Sequence, residues 1–204
     1  MDIDLSKLNT SQVYRTVIQT LVPRPVAWVL SKNQNSSFNL APFSYFNALS
    51  SDPPLLMFSV GKRDNGSFKD TRVNIEAREH FVVHIPSADQ VQAVNDSSAT
   101  LQPEDSEVDA FELPTAEFTG FPLPRIDGCP VAYGCELFEL KEIGNTPMSM
   151  IIGEIKQVYI DDDIIESSGH ESLKISAQKL NPLARLGGIE YAVLGELMSV
   201  PRPK

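Results

Sequence analysis

The chain has 204 residues, 42% of them apolar and 22% charged, which fits one domain with a full core and argues against disorder. Its formal net charge is −10, with no compact run of Lys and Arg, which argues against nucleic-acid binding and against docking on an anionic membrane. Cys129 and Cys135 form no CxxC pair and stand far in sequence from His80, His84 and His170, so both thiols are read as reduced and no zinc site is expected.

The N-terminus, MDIDLSKLNT, is acidic and has no apolar stretch of signal-peptide type. No apolar run reaches the ~18 residues of a spanning helix, and the expected location is the cytoplasm. NTSQVYRTVIQT predicts a short helix capped by Thr10 or Ser11, with Val13, Val17 and Leu21 at helical spacing. Pro23 and Pro25 stop it and force extended backbone. VAWVLS, residues 26–31, predicts a strand, and KNQNSS a turn. Strands are expected near residues 37–41, 45–49 and 55–60. KDTRVNIEAREH predicts a helix with Asp70 or Thr71 as N-cap and Val73 and Ala77 four apart.

FVVHI predicts a buried strand, and PSADQVQAVNDSS a short helix with Ser87 as cap and Gln90 at the capping-box position. Residues 99–128 are acidic and Pro-rich. A stretch this long in a compact domain is functional or covering; Phe111, Leu113, Phe118, Phe121 and Leu123 predict that it packs down on the domain. Strands follow near residues 131–140 and 148–160, then a charged turn, DDDIIESSGHES, a short helix within KISAQKLNPLARLGG and a last strand, EYAVLGELMSV. Nothing repeats. Short strands separated by turn residues predict a barrel or sandwich rather than a βαβ array, in a single domain over residues 1–204.

Neither GxGxxG after a strand nor GxxxxGK[ST] occurs, so the two common nucleotide fingerprints are absent. GKRDNGSFKDTR gathers Gly61, Lys62, Arg63, Lys69 and Arg72 at an expected helix start. Helix starts expose unpaired N–H groups and partial positive charge, and Lys69 with the Thr71 hydroxyl suits a phosphate monoester. A solvated turn before a capped helix fits the same residues. NLAPFSYFN offers Asn39, Ser44 and Asn47 on backbone fixed by Pro42, as the edge of a heteroaromatic ring requires; a strand pair with surface polar residues fits equally. No GxSxG elbow occurs, and the histidines have no evident Ser or Cys partner, which argues against a hydrolase. His84 reads as a satisfied or half-exposed strand residue, and His170, in a polar loop, could face a pocket. Trp28 and the Phe43, Tyr45, Phe46 cluster read as core.

RPVAWVLSKNQNSSFNLAPFSYFNALSSDPPLLMFSVGKRDNGSFKDTRVNI resembles the flavin reductase-like proteins with an FMN-binding split β-barrel. PRIDGCPVAYGCEL and NPLARLGGIEYAVLGEL extend the resemblance over most of residues 15–200. It implies a mainly β, Greek-key-like split barrel with short peripheral helices, and a homodimer with FMN near the subunit interface. By position, Asn39, Leu40, Ala41 and Pro42 match the segment lining the isoalloxazine, and Ser44, Phe46 and Asn47 its continuation. Ser59, Gly61, Arg63, Lys69, Asp70 and Thr71 match the stretch that meets the ribityl chain and phosphate. Arg24 and Arg185 match arginines near the pocket. His84 stands where Asn is common, Gly134 where Glu is frequent, and DNGSF is insert-like. The implied activity is hydride transfer from NADH or NADPH to flavin, passed on to free flavin, a partner oxygenase or another acceptor. The alternatives are an FMN-binding electron carrier without a nicotinamide site, and a split barrel holding another ligand.

Overall fold

The computed structural model describes residues 1–145, 148–169 and 172–203; His170 lies outside the described residues. Helix α1 (Thr10–Thr20) begins at a capping box: Gln12 N donates to Asn9 Oδ1 at 2.9 Å, and Asn9 N donates to Gln12 Oε1 at 2.9 Å. The cap is therefore Asn9 rather than Thr10 or Ser11, because only Asn9 has a glutamine three residues on to reciprocate. After β1 (Arg24–Pro25) come β2 (Ala27–Lys32), β3 (Phe38–Phe43), β4 (Phe46–Ser51) and β5 (Pro54–Val60). Helix α2 (Asp70–Arg78), β6 (His80–Ile85) and α3 (Val91–Asp96) follow, close to their expected bounds.

The expected mainly β architecture holds. Seven strands form one antiparallel sheet in the order β3-β2-β6-β9-β10-β5-β4, with β9 at Val131–Ile143 and β10 at Met148–Ile160. The non-consecutive neighbours β2–β6 and β10–β5 make the path Greek-key-like. Its core is two-sided. On β2, Trp28 and Leu30 pack with Leu40, Val82 and Ile126, while Val29 packs on the other side with Phe58, Phe81 and Ile75 of α2. That is why VAWVL is an unbroken apolar run instead of an alternating one. Among the described residues, no helix is long and apolar enough to cross a membrane.

The acidic covering segment packs down as expected. It carries α4 (Glu107–Ala110), β7 (Thr115–Ala116) and β8 (Arg125–Ile126), and it buries Phe118, Leu123 and Ile126. His84 is its clasp. Ile126 N donates to His84 Nε2 at 2.9 Å, so the ring proton sits on Nδ1, which donates to the Trp28 carbonyl at 2.9 Å. Trp28 Nε1 donates to Ser97 Oγ at 2.8 Å at the segment's other end. Gly134 leaves room for the covering ring of Phe121: a Cβ there would lie 2.7 Å from it.

Two expectations change near the C-terminus. The DDDIIESSGHES region contributes β11 (Ile165–Gly169), which pairs with β12 (Ser172–Ile175). After α5 (Ala177–Leu180) and β13 (Ala184–Arg185), the expected long last strand shrinks to β14 (Tyr191–Ala192). Among the described residues it pairs with the two-residue β13, which itself pairs with β1, and no described strand offers a ladder to the apolar residues beyond Ala192.

Candidate functional site

Helix α2 starts without a side-chain cap. Lys69 takes the N-cap position in extended backbone, φ −73° and ψ 151°, and Asp70 and Thr71 are helical residues instead of caps. The first-turn amides therefore have no side chain of the N-cap residue in front of them. Arg72 N and Val73 N reach the Lys69 carbonyl at 3.0 and 3.2 Å, and Asp70 and Thr71 stand at the cleft end of the helix. Before the helix, Gly66 at φ 84° closes a tight turn, with Arg63 N donating to the Ser67 carbonyl at 2.9 Å. This turn contains the insert-like DNGSF.

A cleft of about 520 Å³ opens between β3, this turn, the start of α2 and residues 97–103, with Glu107 in its wall. Beneath it lies a buried polar network. Asn39 Nδ2 donates to Thr71 Oγ1 at 2.9 Å and to Ser31 Oγ at 3.4 Å. Asn74 Nδ2 donates to Asn33 Oδ1 at 2.7 Å and to Ser31 Oγ at 3.2 Å. Arg63 bridges the walls: it donates to Asp70 Oδ2 at 2.6 Å and to the Leu101 carbonyl at 2.9 Å.

The cations differ in what they are free to do. Arg63 is engaged by Asp70, and Lys62 Nζ sits 4.6 Å over the Phe68 ring. Lys69 is exposed, lines the cleft and forms no ion pair among the described residues. Burial acts on two of the acids that line the cleft. Burial raises Asp70 against the opposing pull of Arg63. Burial raises Glu107 too, and its bond from Leu40 N at 2.9 Å offsets this in part. Away from the cleft, burial pulls His84 down to about 4 and pushes Cys129 up to about 12, so neither is a reactive group at neutral pH.

Asn39, Ala41, Arg63, Lys69, Asp70 and Thr71 come together on the cleft. Leu40 is core, although its amide meets Glu107. Pro42 stands opposite Trp28 in the β2–β3 ladder, and Gly61 precedes the cleft turn beside Met148. Ser44, Phe46, Asn47 and Ser59 gather instead at the bend into β4, where Ser59 N donates to the Tyr45 carbonyl at 2.9 Å. Arg24 and Arg185 face each other across β1 and β13. Arg24 joins its surroundings: it donates to Ser44 Oγ at 3.3 Å and to the carbonyls of Ile18, Leu21 and Leu186 at 2.7, 2.7 and 2.8 Å. Arg185 stacks 4.3 Å over Tyr191.

Sequence reasoning missed the hydroxyl-rich wall Ser97, Ser98 and Thr100, as well as Glu107, Asn33 and Asn74. The length of the covering segment was the available signal. The arrangement can hold an anion at Lys69 and the helix start, and a hydroxyl-bearing chain against the wall. Among the described residues, no group of His, Cys, Asp and Glu could hold a metal ion.

A model of the flavin reductase like domain matches residues 19–174. An uncharacterised protein of Halalkalibacterium halodurans is 33% identical, over 100% of this chain and 97% of that protein. Nitrilotriacetate monooxygenase component B from Bacillus cereus superposes with a TM-score of 0.90 at 30% identity, over 98% of both chains. A split barrel domain protein from Shewanella frigidimarina superposes with a TM-score of 0.84 at 20% identity over 100% of both chains, which identifies the fold as the expected split barrel.

Proposed function

The chain belongs to the flavin reductase-like family, and from that premise we propose that it is an oxidoreductase that binds FMN in the cleft and reduces it with NADH or NADPH. One observation carries the reading: the uncapped start of α2, the exposed Lys69 and the Thr71 hydroxyl converge on a cleft that also holds Asn39 and Ala41. A phosphate monoester carries about −1.5 to −2 charges at neutral pH. In a chain of net charge −10 it requires local donors, and those residues supply them. When bound, FMN supplies the two-electron chemistry, accepting hydride from the nicotinamide. The chain's part is to hold and orient: Lys69, Thr71 and the first-turn amides hold the phosphate, and the wall of residues 97–103 lies along the ribityl side. Ala41, Pro42, Ser44, Phe46 and Asn47 line the ring side. Leu40, Ser59, Gly61, Arg63 and Asp70 shape the cleft, while Arg24 and Arg185 brace the ring end.

The working unit is a homodimer. Helix α1 is amphipathic yet buries none of its residues, and Leu21, Val22, Leu49 and Ile189 are exposed. Arg24 ties the end of α1, the Leu186 loop and Ser44 into one region, and a second copy would cover that apolar surface. A partner oxygenase is the proposed acceptor, in keeping with the name of the Bacillus cereus relative.

The test is direct. Protein loaded with FMN should be yellow, and anaerobic NADH or NADPH should bleach it. Failure to take up FMN overturns the reading; uptake without bleaching by either nucleotide makes the chain a carrier.

A further inference from the structure

We infer that Asn39 is a positioning residue for the anion end of the site, acting through Thr71 rather than by reading the flavin ring. The inference rests on the cofactor reading above and concerns how that site tells a phosphorylated flavin from an unphosphorylated one.

A threonine hydroxyl has one hydrogen to give and two lone pairs. Within a helix it usually gives that hydrogen to the carbonyl four residues back. For Thr71 that carbonyl belongs to Ser67, which lies before the helix and already accepts from Arg63 N at 2.9 Å. Asn39 Nδ2, at 2.9 Å, donates into one lone pair of Thr71 Oγ1. With the amide on that side, the hydroxyl hydrogen turns toward the cleft that Thr71 lines. An acceptor from Asn39 would turn it the other way.

Asn39 is held in this role by its surroundings. Ser31, Asn33, Asn39, Thr71 and Asn74 are all between 0 and 3% exposed. The Asn39 amide nitrogen spans two hydroxyls, Thr71 and Ser31, and Ser31 accepts in turn from Asn74. Arg78 closes the far side by donating to Asn74 Oδ1 at 3.1 Å. A side chain spent in this way has its amide hydrogens committed inside the protein. Those hydrogens can act on a ligand through the Thr71 hydroxyl that they orient.

The experiment compares FMN with riboflavin, which share the ring and the ribityl chain and differ in the phosphate. Asn39→Asp replaces the donor by an acceptor, so the Thr71 hydrogen swings away from the cleft and negative charge is added behind it. The affinity ratio of FMN to riboflavin should fall about ten- to a hundredfold, with riboflavin affinity changed by no more than about threefold. Thr71→Val should lower the same ratio. Asn39→Ala should lower it in the wild-type background and leave it unchanged in the Thr71→Val background. Should Asn39→Asp fail to fold, the Asn39→Ala and Thr71→Val cycle makes the same test. Equal losses for both flavins, or independent effects of the two substitutions, overturn the role of Asn39 alone. A wild-type protein that binds neither flavin removes the cofactor reading and this inference with it.

Discussion

The segment from Asn39 to Asn47 has two ends in two different states. At one end the Asn39 amide is buried and bonds two hydroxyls from other elements. At the other end the Asn47 side chain is exposed, and its oxygen accepts from the next amide along, Ala48 N at 2.9 Å. The first end is finished within one chain: every wall of the cleft is tied to another by Arg63, Glu107 or Asn39. The second lies on the edge strand β4, where Leu49 is exposed, and Arg24 links Ser44, just before this strand, to the Ile18 and Leu21 carbonyls at the end of α1. The contrast teaches that the proposed anion half of the site is braced by hydrogen bonds within the chain, whereas the proposed ring half is the part that a second copy would complete.

The contrast should break most visibly at Asn74. Asn74→Ala strands the buried Asn33 Oδ1 and removes one of the two donors to Ser31 Oγ, and should destabilise the fold by roughly 2–4 kcal/mol, read from urea unfolding. A loss below about 1 kcal/mol would mean that the network is not the brace described here. Acid should act on the clasp of the covering segment. The His84 imidazole titrates at about 4 in the fold against an ordinary 6.5. The unfolded chain therefore binds the extra proton between these values. His84 contributes on the order of 3 kcal/mol, complete above pH 6.5 and lost as pH falls toward 4. The raised Asp70 and Glu107 act with the opposite sign, because a carboxyl easier to protonate in the fold favours folding as pH drops. His84→Asn removes the imidazole and keeps groups that can donate and accept. Its urea midpoint should change less than that of wild type between pH 6.5 and 4; parallel curves would remove His84 from the acid response. Thr71→Ala should weaken FMN binding by roughly 1.5–3 kcal/mol in a fluorescence titration, and unchanged affinity would take Thr71 out of the site. Asn47→Ala, at the open end, should leave unfolding within about 0.5 kcal/mol of wild type; a larger loss would mean this end is already braced.

The fold was legible because its signals are local: the unbroken VAWVL, the stops at Pro23 and Pro25, and the apolar residues of the acidic covering segment. Half of the candidate site was legible for the same reason, since Lys69, Asp70 and Thr71 adjoin in sequence. What escaped depends on distance. Nothing near Asn39 announces that it will meet Thr71 thirty-two residues later, or that Ser97 and Glu107 will close the opposite wall. The long final strand was overread because EYAVLGELMSV has strand composition, whereas a strand also needs an edge, and β13 offers two residues of one.

The bare backbone at Gly134 has a consequence for exchanging parts with relatives. A glutamate at this position would drive its Cβ into the Phe121 ring, so it can enter only together with a smaller residue at 121. Strand and covering segment form one transplantable unit: a chimera that grafts either without the other should jam at this point, while one that moves both should close.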